Sequence, residues 1–146
     1  GIAFACLTYA FIVSDFSLSI VANNSHVSKP LMYKIAGVWG NHEGSMLLWV
    51  LVLAAYSFVF SFMSQNLETD FRARVLAVQG WIGVAFLGFI IFTSNPFSRL
   101  FPALFEGMGL NPVLQDPALA AHPPLLYWIC WYVDGFFFCC GGASWR

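Results

Sequence analysis

Two runs of this chain carry no charge at all, one between Glu43 and Glu68 and the other between Arg74 and Arg99. The core of the first, Met46 to Met63, is long enough as helix to cross about 30 Å of hydrocarbon. The second, Val75 to Thr93, is apolar on every helical face rather than along one stripe, the pattern of a helix surrounded by lipid or by other helices. Composition agrees, since 9% of the residues are charged, against about 25% in an ordinary soluble domain. A soluble fold is disfavoured on these grounds, and the chain reads as all-α, a polytopic integral membrane protein in contact with membrane lipid.

Around the two complete spans, 46–63 and 75–93, the sequence divides into loops and partial helices. Residues 1–14 are apolar from the first position and lack a Met or a basic flank. They read as a truncated transmembrane helix rather than a signal peptide. Residues 15–45 and 94–122 form long loops, 64–74 a short one, and 123–146 the start of a further hydrophobic segment. The long loops alternate with the short one and so share a side. Arg72 and Arg74 sit beside a helix end, which places the short loop in the cytoplasm and the long loops in the periplasm of a bacterial inner membrane. Lys29, Lys34 and Arg99 lie on the other side, so this orientation rests on the density and position of the arginines rather than on a count.

Six Lys plus Arg against seven Asp plus Glu, with no basic cluster, give no basis for a nucleic-acid partner. Cys130, Cys139 and Cys140 crowd the C-terminal stretch without forming a Cys-x-x-Cys pair, so neither a disulfide framework nor a zinc site is indicated. All three histidines fall in loop or interface positions, which excludes a haem held within the bilayer by this chain.

His122 precedes Pro123-Pro124, and proline is tolerated in the first turn of a helix because the N–H it lacks would have no partner there. His122 is therefore expected beside the N-cap, at the outer membrane surface. There the positive end of the helix dipole favours the neutral imidazole that can ligate a metal. On sequence physics alone such a histidine is more often a capping or hydrogen-bonding residue than a ligand. His42-Glu43 is expected to be a polar junction between loop and helix, and a lone His-Glu is weak ground for a metal or catalytic site. His26, within Asn23-Asn24-Ser25-His26, is expected to be solvated. Trp39 is placed to anchor at the interface, while Trp49, Trp81, Phe58 and Phe62 face lipid or pack between helices.

Three separated motifs now combine. Val38-Trp39-Gly40-Asn41-His42-Glu43-Gly44-Ser45 with Leu47-Leu48-Trp49-Val50, then Phe92-Thr93-Ser94-Asn95-Pro96-Phe97, then Leu110-Asn111-Pro112 through His122-Pro123-Pro124-Leu125-Leu126-Tyr127 resemble the CcmF family of cytochrome c maturation haem lyases, over about residues 1–127. The resemblance implies a periplasmic site for haem b and partnership with the haem chaperone CcmE, with CcmH and CcmI, and with apocytochrome c. It also implies that His122 is an axial ligand to haem iron. The family's Trp-rich platform, its second periplasmic histidine and its transmembrane haem-ligating histidines have no counterpart in this sequence, so the chain alone does not make a complete haem site. No catalytic residue is assigned.

After Tyr127 the pattern departs from the family. Trp has the single codon TGG, so reading from the second base makes Trp128-Ile129 and Trp131-Tyr132 each yield glycine, at Gly-x-x-Gly spacing that restores the family pattern. The tail to Arg146 is accordingly expected to be out of frame, and its cysteines to carry no chemistry. Two other readings stay open: a transporter or respiratory-complex membrane subunit, and a chain with no function by itself. Against an ion path, no Asp, Glu, Lys, Arg or His lies within the two spans, where Gln79 is the main non-hydroxyl polar side chain.

Overall fold

The computed structural model describes residues 1–66, 68–102, 105–108, 116, 118 and 120–129. Its helices are α1 (Ile2–Val13), α2 (Ser19–Asn24), α3 (Leu31–Gly37), α4 (His42–Met63) and α5 (Thr69–Phe92), with a 3-10 turn at Ser64–Asn66. Residues 120–129 form a further helical segment, α6. Among the described residues there is no β-strand, only an isolated antiparallel bridge between Leu18 and Arg99. The expectation for the tail falls, from residue 130 onward, outside the described residues.

At 22 and 24 residues, α4 and α5 are about 33 and 36 Å long at 1.5 Å per residue, enough to cross a bilayer. Only 22% and 11% of their most apolar windows is buried. A core helix of a soluble protein would be mostly covered, so what surrounds these helices has to be apolar too. They run antiparallel. Trp49 meets Phe86 edge-on at 5.3 Å, a Cβ on Gly83 would touch Leu53, and Arg72 Nη2 donates to the Ser61 carbonyl at 2.8 Å beside the tight turn.

Both helices begin earlier than hydropathy predicts. α4 starts at His42 because the Asn41 side chain accepts from the Gly44 N–H, satisfying a donor that the helix start leaves open. α5 starts at Thr69, taking in Asp70, Arg72 and Arg74. Hydropathy marks where the apolar segment ends, whereas charged residues continue a helix beyond it without penalty. Most of the short loop expected at 64–74 is therefore helical.

The long segment 15–45, expected to be loop, folds into a layer over one end of the hairpin. α1 stops at Ser14, which adopts the left-handed conformation at φ 57°. The Asp15 N–H reaches back to the Ala10 carbonyl at 3.0 Å to close the turn. Lys34 Nζ donates to Ser14 Oγ at 2.8 Å, fixing α3 to that turn. Leu7, Phe11, Val21 and Val38 are fully buried in a core that also takes Leu47 from α4 and Ile90 from α5.

The second long loop seals this layer. Ser19 N–H donates to Ser98 O at 2.9 Å, Leu100 N–H to Ser17 O at 2.8 Å, and Met108 N–H to Ala22 O at 2.8 Å. Gly107 is required here, since a Cβ would overlap the Ser25 carbonyl. The two long loops thus pack on one another at the same end of the hairpin.

Candidate functional site

The loop-bearing end of the hairpin gathers the polar side chains. Asn41 holds three groups at once: its Oδ1 accepts from Gly44 N–H at 2.7 Å, and its Nδ2 donates to the Gly37 carbonyl at 2.8 Å and the Val38 carbonyl at 3.4 Å. A Cβ at Gly44 would overlap Val38 O, so only glycine lets the helix start this close to the preceding chain. Ser45 Oγ donates to the Trp39 carbonyl at 2.6 Å. The Trp-Gly-Asn-His-Glu-Gly-Ser stretch is thereby a single rigid helix start. His42 and Glu43 form the polar loop-to-helix junction as the first two residues of α4.

Beside them lies a cavity of about 310 Å³, lined by Glu43, Asn23, Asn24, Thr93, Ser94 and Ser98 among others. Hydrogen bonds from Ser17 hold the Asp15 carboxyl below the usual carboxylate range, with a smaller contribution from the Arg99 guanidinium. Burial pushes the Lys29 amine below the usual lysine range.

The three histidines differ in their surroundings. His42 Nδ1 lies 3.3 Å from Ser94 Oγ, with its ring tilted toward Phe89. His26, expected to be solvated, instead places Nε2 3.0 Å from Glu106 of the second loop and accepts from Ser28 N–H at Nδ1. The sequence offered no signal for a pairing between residues 80 positions apart. His122 is exposed, and among the described residues its side chain makes no hydrogen bond or ion pair.

The α6 segment starts before His122, not after it. Asp116 Oδ1 accepts from Ala118 N–H at 2.8 Å, and the Asp116 carbonyl accepts from Ala120 N–H at 2.9 Å. Together these are the two interactions of an N-cap. His122, Pro123 and Pro124 thus lie inside the helix. The consequence is local: Pro124 has no N–H to give the carbonyl of Ala120, and its ring pushes that carbonyl outward. Trp39 Nε1 donates to this carbonyl at 2.8 Å. Trp39, expected to anchor at the membrane interface, thus meets a carbonyl 81 residues away that its own helix leaves open. Pro124 was the available clue, because a proline within a helix announces a carbonyl in need of a donor.

Further along α6, Tyr127 meets Trp49 edge-on at 5.2 Å, and Tyr56 Oη donates to the Trp128 carbonyl at 3.3 Å. Trp49 therefore packs between helices, wedged against Phe86 of α5 and Tyr127 of α6. On α6, His122 shares a face with Leu125 and Leu126 by helical spacing, and all three are exposed. A flat apolar ligand with a metal at its centre could lie on that stripe and be reached by the imidazole. Among the described residues no three His, Cys, Asp or Glu side chains gather as a metal site.

Comparison with known proteins places these features in context. The family model described as cytochrome C assembly protein matches residues 39–138. The chain is 64% identical over 127 residues to the cytochrome c-type biogenesis protein ccl1 of Rhodobacter capsulatus, covering 87% of this chain and 19% of that protein. It is 59% identical over 125 residues to CycK of Rhizobium meliloti, covering 86% and 18%. It is 52% identical over 126 residues to CcmF of Escherichia coli, covering 86% and 20%. The chain thus spans about one fifth of the length of these relatives. No solved structure matches it.

Proposed function

The chain belongs to the cytochrome c assembly protein family, and from that premise we propose that it forms a membrane-embedded part of a haem lyase in cytochrome c maturation. In this reading the loop layer faces the periplasm of a bacterial inner membrane, and the tight turn with Arg72 and Arg74 faces the cytoplasm. His122 would hold the iron of haem b through its imidazole, and the apolar stripe of α6 would lie against the macrocycle. Haem supplies the iron that the imidazole ligates and the vinyl groups that cysteine thiols of apocytochrome c attack. The protein's part is to hold and orient. CcmE as donor of haem, and CcmH and CcmI as partners in presenting the apocytochrome, complete the assignment.

The observation that carries the reading is the contrast among the histidines. His26 and His42 are engaged with Glu106, Ser28 and Ser94, while His122 is exposed on a helix whose start is held against the loop layer. The test is His122→Ala in the full-length protein, with His26→Ala and His42→Ala beside it. His122→Ala is expected to abolish the haem absorbance of the periplasmic site and cytochrome c assembly while the protein still inserts. The other two variants keep the absorbance. Full haem content in His122→Ala would remove that residue from the mechanism.

A further inference from the structure

We infer that Trp39 is a positioning residue for His122, acting through the carbonyl of Ala120 that Pro124 leaves without a donor. This rests on the haem reading above for its functional consequence, and on geometry alone for the contact. A proline at position 124 of α6 removes the N–H that would close the turn onto Ala120. Ala120 is half-buried, and a carbonyl withdrawn from water without a donor is costly, so the group that meets it fixes the turn in place. That group is the indole N–H of Trp39, at 2.8 Å.

Trp39 is itself held from both sides. Its carbonyl accepts from Ser45 Oγ at 2.6 Å, and Asn41, two residues on, ties the preceding turn to the start of α4. Rigidity therefore passes from the α4 start, through one indole, to the backbone two residues before His122. The contacts between α6 and α4 itself, Trp49 against Tyr127 and Tyr56 with Trp128, lie more than one helical turn further along and fix the direction of the helix rather than the turn that bears the imidazole.

The inference separates from a general packing role because the missing donor can be supplied another way. Pro124→Ala gives the Ala120 carbonyl its own helical N–H, after which the indole is no longer needed. Losing both members of such a pair is far milder than losing one. The experiment uses the full-length protein in its membrane, with Trp39→Phe, Pro124→Ala and the double variant, the phenylalanine keeping an aromatic ring while removing the N–H.

Two readouts are taken. The first is the alkylation rate of a thiol introduced by His122→Cys, using a membrane-impermeant maleimide and subtracting the rate of the protein without it. This reading needs no haem. Trp39→Phe is expected to raise the rate about five-fold, the size of one net hydrogen bond, and Trp39→Phe with Pro124→Ala to return it near the starting value. The second is haem absorbance per protein with His122 in place, expected to fall in Trp39→Phe and to recover in the double variant. An unchanged thiol rate in Trp39→Phe, or a raised rate that Pro124→Ala does not lower, overturns the positioning role whatever the haem result. If the thiol rates follow the expected pattern while haem stays constant in every variant, the contact stands and the haem reading of His122 is what fails.

Discussion

At the loop-bearing end of the hairpin Phe11, Val21 and Val38 are fully covered, whereas toward the tight turn Phe58, Phe62 and Trp81 stand 65%, 60% and 76% exposed. The two regions use the same residue types for different ends. In the first, apolar side chains from α1, α2 and the chain before α4 meet one another and the start of α4, as in a small soluble core. In the second they point away from the hairpin, toward lipid or further helices. Specific packing, and with it the precision needed to hold a ligand, is concentrated where the polar residues are. The apolar end has the length and composition that a bilayer can receive.

Removing one aromatic ring from each region puts this to the test most strongly. Phe11→Ala opens a cavity in the closed core and is expected to cost about 3–5 kcal/mol. Phe62→Ala removes a ring of the same size from an exposed face and is expected to cost under about 0.5 kcal/mol. Reversible unfolding in bicelles measures both. Similar costs would mean that the exposed end is packed as tightly as the loop layer.

Glycines give the next contrast. At Gly44 an added methyl group would overlap the Val38 carbonyl, and the backbone cannot yield there without breaking the Asn41 cap. Gly44→Ala is expected to destabilise by about 1–3 kcal/mol. Gly88, on α5, has nothing within 4 Å of an added Cβ. Gly88→Ala should be neutral or stabilise by up to about 1 kcal/mol through helix propensity. A loss at Gly88 as large as at Gly44 would point to a neighbour covering that face in the bilayer.

The same division governed what could be read from the sequence. The two long helices were legible because the absence of charge over 24 consecutive positions in each run is a demand of the bilayer itself. Their starts were not, because Asn41 and Thr69 are ordinary polar residues until a backbone N–H is seen to need a cap. His122 could be singled out as a candidate, but its place inside α6 depended on Asp116, six residues earlier, acting as the cap. The pairs His26 with Glu106 and Trp39 with Ala120 join distant stretches by one contact each. No periodicity records such a contact. Pro124 alone left a trace, as a donor that had to be replaced.

The smallest expected effect lies at the rim of the loop layer, where Asp15 shows how little an exposed charge adds to a core already closed by apolar packing. Its carboxylate accepts from the Ser17 N–H at 3.1 Å, and its folded pKa lies below the ordinary value of 3.8. A carboxyl whose pKa is depressed by folding contributes stability that is fully present above its unfolded value and disappears as pH falls through the folded one. The group is largely solvated, so the contribution is a few tenths of a kcal/mol, about that of an exposed ion pair. Asp15→Asn retains an oxygen to accept from Ser17 but cannot titrate. Unfolding followed from pH 6 downward should therefore show the unsubstituted protein losing slightly more stability than the variant once pH drops below about 4. Parallel curves would leave the Ser17 bond with no preference for the ionised carboxyl, and would assign the turn after α1 wholly to the backbone closure at Ser14.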